Sequence, residues 1–538
     1  MRDRLLTRLF LQRFVDNDLI SPDADRHQTL AVVCSALVTS GLFVTVFLSL
    51  KFLFQPFESP GHTAIVALED RVFYVAYSMI LMALLAVATW DALALDWRDA
   101  AILGPLPVAR TTVVKAKVVA VALFAGGCDV VLNMVSSILQ PLPMASKLSL
   151  GVLEIAFLIV VYALVTTAAG AFGFLAVVAL REVLTAVLGQ ARFNRFSAIA
   201  QGSLVVVLSA PFLLLPTQSS AVKRLWAEPG VLTPYVVPPL WFLGMQETLA
   251  GGVVDRLPRR QLPAGMLELE IQSTAMYRSR QPRFRNLAGV AVVGLGIAMV
   301  VALGGYVSNS RHLAAPNDGS RAKANGPRSM LARIVRSTLA RRPIVQAGYF
   351  FALQSVSRSR PHRMAIATSF GVGLAVAIVS LRGLDMRHSA DISSLPLAWL
   401  ALQTSLVIAL LVGFRYAVRL PADVRANWTF RLTWPGHESA YLIGVKRAAS
   451  LGMVVPTLLA LAPLHVRVLG SRLAVAHFAI GLLVGLLCQE LLFMGFRQVP
   501  FASSYVPTGN LSFRGPLYVL DSVFCDNVRN CVCGEAVR

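Results

Sequence analysis

Apolar runs of 17 residues or more, uncharged or nearly so, recur along the chain. They lie near residues 30–54, 72–90, 118–139, 152–180, 198–216, 287–307, 364–381, 395–414, 448–465 and 473–495. About 20 apolar residues cross a bilayer as a helix, so each run predicts a membrane-spanning segment. The ninth contains Pro456 and Pro463, which a membrane helix tolerates where its neighbours satisfy the freed carbonyls. Lys and Arg in the connecting segments number 5, 1, 4, 1, 3, 9, 11, 2, 6, 2 and 4 from the N-terminus onward. Apart from the sixth, these counts alternate high and low, as the excess of positive charge in cytoplasmic loops requires if the N-terminus is cytoplasmic. The sixth segment, 217–286, is long enough to escape that rule and is placed outside despite Arg278, Arg280, Arg283 and Arg285. The pattern therefore predicts an all-α polytopic membrane protein of about ten transmembrane helices with its N-terminus in the cytoplasm.

The same pattern divides the chain. Residues 1–29 carry Arg2, Arg4, Arg8 and Arg13 on an amphipathic pattern with no cleavage site, which predicts a helix on the cytoplasmic membrane surface. A first half of about six spans follows over 30–307. The tract 308–363 is Arg-rich, is broken by Pro316, Gly319, Gly326 and Pro327, and reads as a cytoplasmic linker. A second half of about four spans occupies 364–510, so the chain is expected to hold two pseudo-repeated halves. Residues 511–538 turn polar and Cys-rich with no run long enough to cross, and read as a truncated or frameshifted end of an incomplete second half.

Composition agrees with a membrane reading and removes one competitor. The 538 residues are 56% hydrophobic and 14% charged, with a mean hydropathy of +0.66. The net charge of +21 would suit nucleic acid, but Lys and Arg gather at the ends of apolar runs, as on a cytoplasmic membrane face, and no nucleic-acid partner is expected. Cys34, Cys128 and Cys488 fall within apolar runs and read as packing residues. Cys525, Cys531 and Cys533 are spaced unlike structural zinc pairs.

Two polar stretches interrupt the apolar pattern at equivalent places. DWRDAAILGPLPVARTTVVKAK, between the second and third spans, predicts a short helix stopped by Pro105 and Pro107, with Asp96, Arg98 and Asp99 on one side and Lys115 and Lys117 at headgroup level. An ordinary polar loop with snorkelling lysines is the plainer alternative. After the eighth span, RLPADVRANWTFRLTWPGHESAYLIGVKRAA repeats the order Trp, Pro, Lys. Trp97, Pro107 and Lys117 correspond loosely to Trp428, Pro435 and Lys446, with Arg425 and Arg431 on either side of Trp428. Two such elbows suggest two docking points for a partner beneath the membrane.

These stretches, together with PPLWFLGMQE (238–247), FALQSVSRSRPHR (351–363) and CQELLFMGFRQVPFASSY (488–505), resemble the permease subunits of ATP-binding cassette exporters of the ABC-2 class. Within that class they resemble the large bacterial form in which two such modules are fused. The resemblance touches most of the chain from about 90 to 505. It implies a bacterial inner-membrane permease without enzymatic activity, a coupling helix at 96–107 and a second at 425–438, and a separate ATPase subunit that carries the ATP. The chain itself has no G-x-x-x-x-G-K-[ST] loop, so no cofactor is expected in it. The lipid bilayer and a further copy of the chain complete the expected partners.

Within the spans, Asp129 and Asn133 lie one turn apart on one face of the third. An ionisable group at that depth suggests a substrate contact or proton relay, and a hydrogen-bonded carboxyl in the bundle interior is the structural alternative. Glu490, near the end of the tenth span, is expected to be solvated and to pair with Arg497. His437 and Glu438 lack the second His that a zinc helix needs. Gly481 and Gly485 form a small-residue packing face. Trp241 and Phe242 are expected in an interfacial belt outside. A proton-coupled transporter using Asp129 and a non-transporting scaffold remain the competing functions.

Overall fold

The computed structural model describes residues 2–15, 26–54, 60–93, 108–142, 150–214, 233–250, 264–310, 342–381, 397–420, 438–494, 496 and 500–501. Its described residues form helices and no strands. Inside a bilayer a helix satisfies every backbone donor and acceptor within itself, so apolar runs of this length have few alternatives. Six helical stretches are long and apolar enough to cross: Leu68–Ala88, Arg110–Leu139, Val152–Leu188, Gln281–Asn309, Ala401–Arg419 and Ser439–Phe493. Shorter apolar helices cover Val33–Val46, Ile199–Pro211 and His362–Ile378. Large apolar side chains such as Val292, Val293, Ile297 and Val300 face outward on these helices. Such a surface suits lipid and not water, and the chain is a multi-pass membrane protein.

The chain divides into two compact units. The first comprises residues 1–16, 26–193 and 214–316, and the second 17–25, 194–213 and 317–538. The predicted span 198–216 thus groups with the second unit, where Gly202 lies against Ala367 and Gly371 against Val205.

In the first unit, α1 (Arg2–Val15) packs on α4 (Arg110–Leu139), and α2 (Arg26–Phe54) lies along α4 as well. Next come α3 (Pro60–Ala88), followed by a single turn at Trp90–Leu93, α5 (Val152–Leu188) and α7 (Pro238–Ala250), with α8 (Ala264–Ser310) closing the bundle; α6 (Gln190–Leu214) leads out of it. The core gathers Val75, Met79, Leu158, Val161, Tyr162, Val165, Phe242 and Ala291 from α3, α5, α7 and α8. Phe242 is fully buried there and Phe172 sits 5.8 Å from Trp241 edge to face, so PPLWFLGMQE is a packed helix and not an exposed aromatic belt. Glycines let the backbones approach: a Cβ at Gly173 would strike the Met79 carbonyl, and one at Gly244 would lie 2.7 Å from the Phe284 carbonyl.

The second unit contains α9 (Pro343–Arg358), α10 (Arg360–Leu381), α11 (Leu397–Arg419), α12 (Glu438–Ala449) and α13 (Val455–Phe493), the last two joined by a π turn at Ser450–Val454. That wide turn lies just before Pro456, and the Thr457 hydroxyl donates to the Met453 carbonyl at 2.7 Å. Within α13, Gly470 has φ 77° and ψ 163°, a conformation that only glycine adopts easily. The chain reverses there. Neighbours step outward symmetrically from it: His465 with His477, Leu458 with Gly481, Val454 with Gly485, Ser450 with Gln489 and Lys446 with Glu490. The ninth and tenth predicted spans are therefore the two arms of an antiparallel hairpin, and Gly481 and Gly485 line the seam between them.

Candidate functional site: a buried polar column in the first unit

Polar side chains in the first unit are stacked at three levels, and the middle level holds the predicted intramembrane pair. Asp129 and Asn133 on α4 are both buried. Asn133 Nδ2 donates to Asp129 Oδ1 at 2.8 Å and to Ser78 Oγ of α3 at 2.9 Å. Ser78 Oγ donates onward to the Thr166 carbonyl of α5 at 2.9 Å, and Ser137 and Thr166 hydroxyls lie 3.3 Å apart. The absence of a side chain at Gly170 admits the carboxylate to the surface of α5, where it also meets the Ala171 amide. Three helices are thus tied by one network of amide, hydroxyl and carboxyl groups. The sequence suggested Asp129 and Asn133; the partners on α3 and α5 are ordinary Ser and Thr with no pattern to mark them. Replacing Asn133 by leucine removes the donor that orients Asp129, and thermal unfolding in detergent is expected to show a loss of about 1–3 kcal/mol.

The level at one end was not legible in the sequence. Arg71 on α3 and Glu247 on α7 form a buried ion pair, their side chains 4% and 2% exposed, and the guanidinium lies 5.5 Å from the centre of the Tyr162 ring on α5. The two residues are 176 positions apart, and each sits at the edge of an apolar run where charge is unremarkable.

At the opposite level, Arg181 and Glu182 of α5 are paired, and Asn309 of α8 donates to Glu182 Oε2 at 2.6 Å. Arg181 lies over the rings of Trp90 and Phe193, 6.0 and 5.7 Å from their centres, and the two rings stack at 6.1 Å. From Tyr162 to Arg181 is 19 residues of helix, about 28 Å at 1.5 Å per residue, close to the thickness of a hydrocarbon core. The two charged levels are thus separated by about the thickness of a hydrocarbon core, with the neutral-partner network of Asp129 between them.

Of the elbow residues, Asp96, Trp97, Arg98, Asp99, Pro105 and Pro107 lie outside the described residues, as do Arg425, Trp428, Arg431 and Pro435, the partner Arg497 and the tail 511–538. Lys115 is exposed as expected, but Lys117 is 1% exposed, with its ammonium 4.9 Å from the Phe10 ring centre of α1. It points to the amphipathic helix, where a cation is held by an aromatic face, and not to the headgroups. Glu490 has its side chain 60% exposed, and its partner is Lys446 across the hairpin. Two residues singled out separately in the sequence are thus one ion pair.

No protein-family model, curated protein or solved structure matches this chain.

Proposed function

We propose that the chain is the membrane permease of an ATP-driven exporter, without enzymatic activity of its own, energised by a separate ATPase subunit that docks on the elbows at 96–107 and 425–438. In this reading the helices make about ten crossings with the N-terminus cytoplasmic, in a bacterial inner membrane. The observation that carries it is that both flanks of each elbow are fastened. Before the first elbow, Trp90 and Leu93 are buried, Trp90 under Arg181 and Phe193; after it, Lys117 is held on Phe10. Before the second, the Phe501 amide donates to the Val418 carbonyl at 2.8 Å and His362 Nε2 meets the Leu420 carbonyl at 3.2 Å; after it, Lys446 pairs with Glu490. A push on a segment fastened at both ends moves the attached helices as rigid bodies instead of bending a loose loop. For the first elbow those helices are α3 and α4, which carry Ser78, Asp129 and Asn133.

The test is co-purification of the chain with a candidate ATPase subunit in detergent. Changing Asp96, Arg98 and Asp99 together to alanine is expected to remove the complex while the chain remains monodisperse. Failure of the wild-type chain to hold any ATPase would remove the proposal. One observation favours a second reading, a proton-coupled transporter: the Asp129 carboxyl is buried within the bundle and met by a neutral donor, the setting of an ionisable group that could carry a proton. That reading expects Asp129→Asn to abolish transport in vesicles that contain no ATPase.

A further inference from the structure

The hairpin of the second unit holds a histidine pair that neither the exporter reading nor the packing of the bundle uses. His465 and His477 face each other across the reversal at Gly470, with ring centres 4.9 Å apart and planes at 40°. His465 is buried and His477 half-buried, and among the described residues the Nε2 atom of each is enclosed without a hydrogen-bond partner. Enclosed imidazole nitrogens left bare on two neighbouring rings call for a physical cause, and an ion bound to both rings is one.

The tautomer supports that cause. His465 Nδ1 lies 2.9 Å from the Leu461 carbonyl. A carbonyl only accepts, so Nδ1 carries a proton and the neutral ring has its lone pair on Nε2, the arrangement found when a backbone carbonyl orients a metal-ligating histidine. His477 is positioned from a third helix: Gln403 Nε2 of α11 donates to its carbonyl at 2.7 Å, in space left by the missing side chain of Gly481. The spacing fits as well. With zinc–nitrogen bonds of about 2.0–2.1 Å and a ring centre about 1.1 Å behind each nitrogen, two imidazoles at a tetrahedral angle on one ion have centres about 5 Å apart.

We infer that His465 and His477 form a site for a divalent transition-metal ion of the zinc class, which staples the two arms of the hairpin. Among the described residues no third His, Cys, Asp or Glu joins them, so water fills the other coordination positions. Imidazole-only ligation selects zinc, copper or nickel over magnesium and calcium, which take oxygen ligands. The ligands lie five and seven residues from Gly470, about 8 and 10 Å along the arms. Arg467 and Arg472, exposed beside the turn, mark the headgroup level, so the site is one to two helical turns from water and can be filled from that face.

The experiment is equilibrium dialysis of the metal-stripped full chain in detergent against Zn2+ with excess Mg2+, comparing wild type with His465→Ala and His477→Ala. The expected result is that each variant binds one equivalent of zinc less than wild type at concentrations that saturate wild type. Zinc bound elsewhere on the chain is common to all three proteins and cancels. Equal zinc in wild type and both variants would overturn the inference, and so would displacement of the extra equivalent by Mg2+. If the alanine variants do not elute as monodisperse protein, His465→Gln and His477→Gln retain a polar side chain of similar size and give the same comparison. Zinc-edge anomalous density between the two rings in crystals of the wild type is the expected independent result. A water there in zinc-soaked crystals would count against the ion.

Discussion

Glu247→Ala is expected to lower the stability of the detergent-solubilised chain by about 3–5 kcal/mol, read as a large fall in the thermal midpoint. The reason is burial. The Arg71 guanidinium stays enclosed between α3, α5 and α7 when this carboxylate is removed, and a charge in that setting has no water to return to. The pair itself need not be stabilising, because bringing two ions out of water costs nearly as much as their attraction returns. Changing both, Arg71→Met with Glu247→Leu, is therefore expected to recover most of the loss. The pair Lys446–Glu490 supplies the contrast. With the Glu490 side chain 60% exposed, the pair is not enclosed by protein, and Glu490→Gln is expected to change stability by no more than about 1 kcal/mol. A midpoint for Glu247→Ala as close to wild type as that of Glu490→Gln would show that the Arg71 level is hydrated.

The second large effect is expected at the crossing of α9 and α12. Gly348 and Gly444 face each other there: a Cβ on Gly444 would stand 2.8 Å from the Tyr349 amide nitrogen, and one on Gly348 would stand 3.4 Å from the Gly444 Cα and against the Tyr441 carbonyl. The obstructing atoms are backbone, which no rotamer change can move aside. Gly348→Leu must therefore separate the helices and open the core that holds Val345, Tyr349, Tyr441, Val445 and Ala448, at a cost of about 3 kcal/mol or more. The measurement is the monodisperse fraction in gel filtration and the thermal midpoint of what remains. Gly444→Ala should act in the same direction and more weakly. The double change should cost less than the two separately, since both act on one contact. Wild-type behaviour of Gly348→Leu would mean that α9 and α12 are not packed backbone to backbone.

These two sites show where sequence reasoning stopped. Asp129 and Asn133 were legible because a charge in the middle of a 30-residue apolar helix is conspicuous and because a four-residue spacing puts both on one face. Arg71 and Glu247 were hidden, because charge at the edge of an apolar run is what any interface looks like. Phe242 was misplaced for a related reason. PPLWFLGMQE is too short to cross and carries an aromatic pair, which in one dimension matches an interfacial belt, whereas the Gly244 contact with α8 lets the segment sink into the core. Lys117 reads as a headgroup-level residue because nothing in the local sequence says that its ammonium will lie over Phe10, more than a hundred residues earlier.

What the sequence determined by itself is the class of the protein: all-helical and multi-pass. A bilayer leaves a long apolar segment almost no other way to satisfy its backbone, and that constraint acts on each run independently of the rest. The tertiary structure alone decided which helices touch, and with that the long-range side-chain pairings: Arg71 with Glu247, Arg181 over Trp90 and Phe193, Lys446 with Glu490, His465 with His477. Lipid is as apolar as the side chains it surrounds, so hydropathy cannot choose between neighbouring helices. That choice falls to small residues that admit a backbone and to polar groups that need a partner, and both act between positions far apart in the chain.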